Sequence, residues 1–555
     1  MNKKIFCLIC LFLFVFVVSC DREKHRAKKS VIPGEEKFVQ EDIPAYGDRI
    51  VTDLSGDIYN LNFINYKSSN ELEIIYLIAD SLISYDNNLN FVPRLATKWE
   101  INKNHTEVVF HLRKGVRFTD GVELTAKDVA YTYNCVFDPK NKLRDVAQTM
   151  TDLKKAEIID DYTVKFVFSA PQAFILDYFV DFFIIPEHVY NTDKYSFQDN
   201  PANKKPVGTG PFKLVKWIKG KEIVLEANDS YFLGRPYLDK IIYLKGGSLD
   251  IAFERLKKGE FDLLPVSITT WKFKTEAPEI KNNFVKYKYF LLAFYYIAWN
   301  THRKPLNDRN VRLALSCLAD LEKFNKLAFF GLYKVAVSPL HPQSKYFNKN
   351  LSPFPFDVER ARKLLIMAGY TDKDGDGFLQ DENGNELTVR LLVESGVALF
   401  DRIAVYLQEN FKKAGIKLII DQEERSVYEK KIVSLDYDGV LTGWMIYPSP
   451  SYLFSMFAES KGIYSMNINN YVNPEIEKLL DKLNHSFDEE DRLNICFRIQ
   501  DILYKEQPYL FLYYPSALVI ASNRYRNLKP SPLGMFKWYP GIIKVYVPKR
   551  LQKKY

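Results

Sequence analysis

From Val108 to Arg113 the apolar Val108, Phe110 and Leu112 frame the interposed Val109, His111 and Arg113. A two-residue period of this kind predicts a strand with one buried face. Lys114-Gly115 and Asp120-Gly121 follow and predict turns, the second of the sort that joins two strands. Thr125 with Asp128 three positions on predicts a capped helix. The same reading continues downstream. Pro211-Phe212-Lys213-Leu214-Val215 predicts a strand fed by a tight turn at Gly208–Gly210. Ile251–Leu264 reads as a helix stopped near Gly259 and then a short strand. Phe290–Trp299 and Leu387–Val393 read as strands, and Ile476, Leu479 and Leu480 fall at helical spacing. Gln500–Leu512 reads as a helix end, then Gln507-Pro508, then an apolar strand. Strands and helices alternating in this way predict a mixed α/β chain of sheets with helices packed on them.

The start of the chain departs from that pattern. Lys3 and Lys4 precede an apolar run from Ile5 to Val18, shorter than the ~20 residues a membrane-spanning helix needs. A basic start, a short apolar core and a small residue before the cut predict a secretory signal over residues 1–19. Val17-Val18-Ser19-Cys20 resembles a bacterial lipobox, which implies acylation of Cys20. The charged stretch from Asp21 to Ser30 reads as part of a tether over residues 20–41. Asp21 resembles an inner-membrane retention signal.

Composition changes the picture little. The chain has 555 residues, 47% hydrophobic and 26% charged, as in globular proteins. The net charge of +8 falls by two once Lys3 and Lys4 leave, and the charges are interspersed, so nucleic acid is not an expected partner. Of six cysteines, Cys135, Cys317 and Cys496 remain after the leader and Cys20; they read as small apolar residues on helices, with at most one pair bridged. Neither Gly-x-Ser-x-Gly nor His-Glu-x-x-His occurs, and the seven histidines show no ligand spacing, so neither an enzyme nor a resident metal or cofactor is expected.

Four blocks carry a resemblance. The first is Leu95-Ala-Thr-Lys-Trp99 through Lys127-Asp128-Val129. The second is Pro206-Val207-Gly208-Thr209-Gly210-Pro211-Phe212, continuing to Gly234-Arg235-Pro236-Tyr237-Leu238-Asp239. The third runs from the aromatic stretch ending Trp299-Asn300-Thr301 to Asp320. The fourth is Gly443-Trp444-Met445-Ile446-Tyr447-Pro448-Ser449-Pro450, with Asn470-Tyr471-Val472-Asn473-Pro474-Glu475 after it. In this order they resemble the family 5 extracellular solute-binding proteins, the peptide, dipeptide and nickel receptors of bacterial ABC importers.

The resemblance implies a type II periplasmic-binding-protein-like fold of the large three-domain kind (cluster C), two lobes with a hinge. The first lobe would take 42–79, 204–299 and 516–555, the middle domain 80–203 and the second lobe 300–515. It implies a monomeric receptor, anchored at the cell envelope through Cys20, that hands a solute, a peptide foremost, to ABC permease subunits. The alternatives are a nickel or other metal-chelate receptor, or a surface lipoprotein without a transport role. Candidate ligand-wall residues are Tyr76, Val266, Trp271, Trp299, Asn300, Trp444, Tyr447 and Tyr471, with core packing as the competing role for each.

Two motifs pull against simple transfer. Asp372-Lys-Asp374-Gly-Asp376-Gly377 resembles half of a calcium loop, but Asn383 stands where a bidentate glutamate belongs, so a solvated turn is the expected role. Peptide-binding members hold the ligand ammonium with an aspartate in the loop after the Gly-Trp pair. Here no acid occurs from Gly439 to Ala458, and Ser449 and Ser451 stand where acids are common. Either another acid does the work or the ligand presents no free amine there.

Overall fold

The structure, a computed structural model, describes residues 42–458 and 467–553. Cys20, the leader and the tether lie outside the described residues. Among the described residues no helix is long and apolar enough to cross a membrane.

The alternation seen at Val108 is realised in the strand Glu107–Leu112, where Val108, Phe110 and Leu112 are buried. It pairs antiparallel with Ala96–Ile101 and Thr163–Phe168, and Leu153–Asp160 completes a four-stranded sheet. The helix Ala126–Asn134 carries the expected capping box, with Asp128 accepting from the Thr125 N–H at 2.9 Å.

A second sheet has seven strands in the order Phe284–Phe290, Ser516–Ser522, Leu263–Pro265, Arg49–Asp53, Lys240–Leu244, Glu222–Ala227, Phe212–Ile218. Arg49–Asp53 runs parallel to both of its neighbours, and the other pairs are antiparallel. One hydrophobic core joins this sheet to the four-stranded one, through Ile50, Ile78, Phe110, Phe166, Phe212 and Ile241.

A third sheet has six strands, ordered Lys334–Val335, Tyr509–Tyr514, Ala293–Trp299, Gly439–Met445, Thr388–Glu394, Lys417–Glu423. Apolar cores cover both of its faces, which is why its central strands read as unbroken apolar runs. Phe294, Tyr296 and Ala298 enter one core; Ile297 and Trp299 enter the other.

The stretch Phe290–Trp299, expected as one strand, is divided. Phe290 ends the last strand of the seven-stranded sheet, and Ala293 begins a strand of the six-stranded sheet. The switch therefore falls at Leu291–Leu292, inside the segment 204–299 that the resemblance assigned to one lobe. A second crossing lies beside it, between Tyr514 and Ser516, and the Leu291 N–H donates to the Pro515 carbonyl at 2.9 Å. Pro515 has no N–H to continue a ladder. Leu291 and Leu292 carry no polar signal, so the break is silent in the pattern. Cys135, Cys317 and Cys496 are buried free thiols.

Candidate ligand-binding site

The strand Gly439–Met445 delivers the loop from Ile446 to Ser451, which faces the short helical turn Ile175–Phe179 and the residues after it. The serines of that loop meet an acid from the other side. Ser451 Oγ donates to Asp177 Oδ2 at 3.0 Å, and Ser449 also hydrogen-bonds Asp177. Arg492 adds to the junction by donating to the Ala173 carbonyl at 3.3 Å. His105 stacks on Phe487 nearby, ring centroids 3.9 Å apart.

Four residues beyond Asp177 stands Asp181. Phe182, Phe183, Ile184 and Ile185 follow it into the core and fix its backbone, which holds the left-handed φ of +58°. Aspartate tolerates this region better than most residues. Asp181 Oδ1 is buried with no hydrogen-bond partner among the described residues. Tyr66 and Tyr447 both feel its charge, and Lys537 acts on it through space. Tyr447, which lies within reach of that charge, leaves 66% of its surface open. On the helix Ser69–Ile78, Glu73 accepts from the Tyr243 hydroxyl at 3.1 Å, and Lys537 also acts on it.

Burial pushes Asp177 up to about 6, against the pull of Ser449, Ser451 and Arg492, and pushes Asp181 up to about 7, against Lys537. Both exceed the ~3.9 of a solvated aspartate, so the folded chain holds these protons more tightly than the unfolded one. Their contribution to stability is present below about pH 4 and is lost as pH rises through 6 and 7. The double variant Asp177→Asn, Asp181→Asn is therefore expected to shrink the fall in melting temperature of the unliganded protein between about pH 5 and about pH 7.5. Parallel melting curves for variant and parent would refute this.

Residues 90–465 match the sequence profile of the "Bacterial extracellular solute-binding proteins, family 5 Middle". The chain belongs to this family. The oligopeptide-binding protein AppA of Bacillus subtilis is 29% identical over 518 residues, covering 92% of this chain and 92% of AppA. A solved structure of AppA from Bacillus subtilis in complex with a nonapeptide matches with a TM-score of 0.74 at 28% identity, over 91% of this chain and all (100%) of that one. NikZ from Campylobacter jejuni, in complex with Ni(L-His), has a TM-score of 0.75 at 24% identity, over 90% of this chain and 99% of that one, a likeness of fold alone. The fold is that of the periplasmic binding proteins.

The structure distributes the family-based candidates unevenly. Tyr447 is open beside Asp181. Tyr76 is half-buried and meets Phe183 edge-on, centroids 5.1 Å apart, two residues beyond Asp181. Trp444 is half-buried at the end of its strand. Trp271 lies under the Lys286 ammonium, 4.4 Å from the ring. Val266, Trp299, Asn300 and Tyr471 are buried. Trp299 packs so closely on Gly439 that a Cβ there would sit 2.5 Å from its ring. Asn300 Nδ2 donates to the carbonyls of Leu435 and Tyr437, and the Tyr471 hydroxyl accepts from Asn473 at 3.0 Å.

Asp177 and Asp181 were not among the candidates. The signal that could have found them is two acids inside the otherwise apolar, aromatic run Ile175–Ile185. A core strand or helix has no use for such acids unless something partners them. Asp372, Asp374 and Asp376 bring their carboxylates within 4.8 Å of one another at the surface, and Asp372 accepts from the N–H groups of Gly375 and Gly377.

Proposed function

We propose that this protein is the solute receptor of an ABC importer and that its cargo is a peptide. The observation that carries the reading is the end-to-end match to an oligopeptide-binding relative whose fold is known around a nonapeptide. In this reading the seven- and four-stranded sheets form one lobe and middle domain, the six-stranded sheet forms the core of the second lobe, and the paired crossings at Leu291–Leu292 and Pro515 are the hinge. The contacts of Ser451 and Arg492 with the 173–177 segment belong to the closed shape. A solute shifts the balance only by its preference for closed over open. Main-chain hydrogen bonding to an extended peptide would accept many sequences. Acylation at Cys20 would hold the receptor at the membrane beside its permease.

The test is capture. The protein is incubated with a pool of synthetic peptides of two to nine residues, freed of excess, and the bound fraction is released and identified by mass spectrometry. Recovered peptides should also raise the melting temperature, because a ligand at 100 times its Kd stabilises by ~2.7 kcal/mol. An empty bound fraction, with a shift produced only by nickel–histidine or another metal chelate, would replace peptide by that cargo.

A further inference from the structure

The loop that supplies the ammonium-binding acid in the resemblance carries none here, from Gly439 to Ala458. An ammonium cannot be enclosed without an anion, because desolvating it costs far more than any neutral hydrogen bond returns. Two carboxylates, Asp177 and Asp181, interact with that loop, a third, Glu73, shares Lys537 with Asp181, and their environments differ. Asp177 is engaged by Ser449 and Ser451. Glu73 is engaged by the Tyr243 hydroxyl. Asp181 has a buried oxygen with no hydrogen-bond partner among the described residues. An orphaned acceptor of this kind calls for an explanation, and its left-handed backbone is a conformation that functional sites often hold at some energetic expense.

Charge balance points the same way. Lys537 is the cation that acts on both Glu73 and Asp181, so two carboxylates share one ammonium. A protonated amine placed beside Asp181 would favour the ionised carboxylate that burial disfavours in the empty protein. A bound metal ion would need several donors in mutual reach. Among the described residues the one such trio of acidic or metal-ligating side chains is Asp372, Asp374 and Asp376, elsewhere on the surface. An ammonium needs only one carboxylate, and aromatic faces beside it help. Tyr66 and Tyr447 are the aromatic residues within electrostatic reach of Asp181.

We propose that Asp181 receives the free amino terminus of a bound peptide, so that the acid absent from the Gly443–Pro450 loop is supplied from the opposite wall. The inference rests on the peptide reading above. It makes the serines of the loop and the aspartates of the 175–181 segment one arrangement. Ser449 and Ser451 hold Asp177 and with it the approach of the two walls; Asp181 keeps an oxygen without a hydrogen-bond partner among the described residues.

The experiment uses two peptide pools of two to nine residues without lysine, arginine or histidine, one with free amino termini and one N-acetylated, against the parent protein, Asp181→Asn and Asp181→Glu. Asparagine tolerates the left-handed backbone as aspartate does, and a melting curve of each unliganded variant verifies its fold. The parent should capture the free-amine pool and bind its members about 10- to 150-fold more tightly than their acetylated forms. Asp181→Asn should lose that same factor for free-amine peptides and no longer distinguish the pools. Asp181→Glu, which keeps the charge, should retain part of the discrimination. If Asp181→Asn captures the free-amine pool as the parent does, or the parent binds both pools equally, Asp181 is not the anchor and the peptide reading stands without it. If the parent captures neither pool, the peptide reading falls and takes the anchor with it.

Discussion

Asp80→Ala is expected to destabilise the fold by about 3–5 kcal/mol, measured by urea unfolding. Asp80 is 1% exposed and its carboxylate is fully engaged. Oδ1 pairs with the Arg94 guanidinium and accepts from the Tyr231 hydroxyl at 3.1 Å, and Oδ2 accepts from the Thr209 hydroxyl at 3.0 Å. Four separated segments thus meet at one side chain. Arg94 is 7% exposed and sits over the Tyr539 ring at 4.9 Å, so it cannot turn to water when Asp80 is removed. The loss is the penalty of an uncompensated buried cation more than the worth of the pair. Asp80→Asn, which keeps one acceptor oxygen but not the charge, should fall between alanine and the parent. The exposed pair Lys98–Glu100 is the contrast, with both side chains more than 60% open; Lys98→Ala should cost less than about 1 kcal/mol. A loss below that same limit for Asp80→Ala would show that Arg94 finds another partner.

What the sequence revealed and what it hid divide by distance along the chain. The strand Glu107–Leu112 and the Thr125–Asp128 capping box were legible because period and cap are set by residues within a few positions of one another. The four blocks identified the scaffold for a related reason: their order along the chain is itself the signal. The roles of Trp299 and Asn300 were not legible. A tryptophan in an apolar strand reads alike whether it faces a cleft or a core, and only Gly439, far along the chain, decides for the core. Asp181 was hidden in the opposite way. Its partners in space, Tyr66, Tyr447 and Lys537, come from three distant segments. The turn at Gly208–Gly210 was recognised as a turn, but its reason lies at Ile78–Ala79, which no local pattern connects to it.

That reason carries the second large effect. Gly210→Ala is expected to destabilise by about 3 kcal/mol or more, at or beyond the upper end for overpacking. A Cβ on Gly210 would lie 2.3 Å from the Ile78 carbonyl carbon and 2.6 Å from Ala79 N and Ile78 Cα. These are backbone atoms at the end of the helix Ser69–Ile78, so no rotamer change relieves them. The Gly210 N–H also donates to the Ile78 carbonyl at 3.1 Å, and that bond must stretch when the chains part. Gly208 makes a like approach, with its would-be Cβ 2.1 Å from the Ile78 oxygen. Thr209 between them reaches Asp80, so the Gly-Thr-Gly turn wraps the residues that end the helix and begin the Asp80 junction. Gly121 separates the steric effect from the conformational one. It holds φ +93° with nothing within 4 Å of its Cβ position, so Gly121→Ala should cost only about 1–2 kcal/mol, from backbone strain alone. Because Gly210 and Asp80 act on one junction, their double variant should lose less than the sum of the two single losses. Strict additivity would show two independent contacts where the structure has one, and equal losses for Gly210→Ala and Gly121→Ala would remove the steric account.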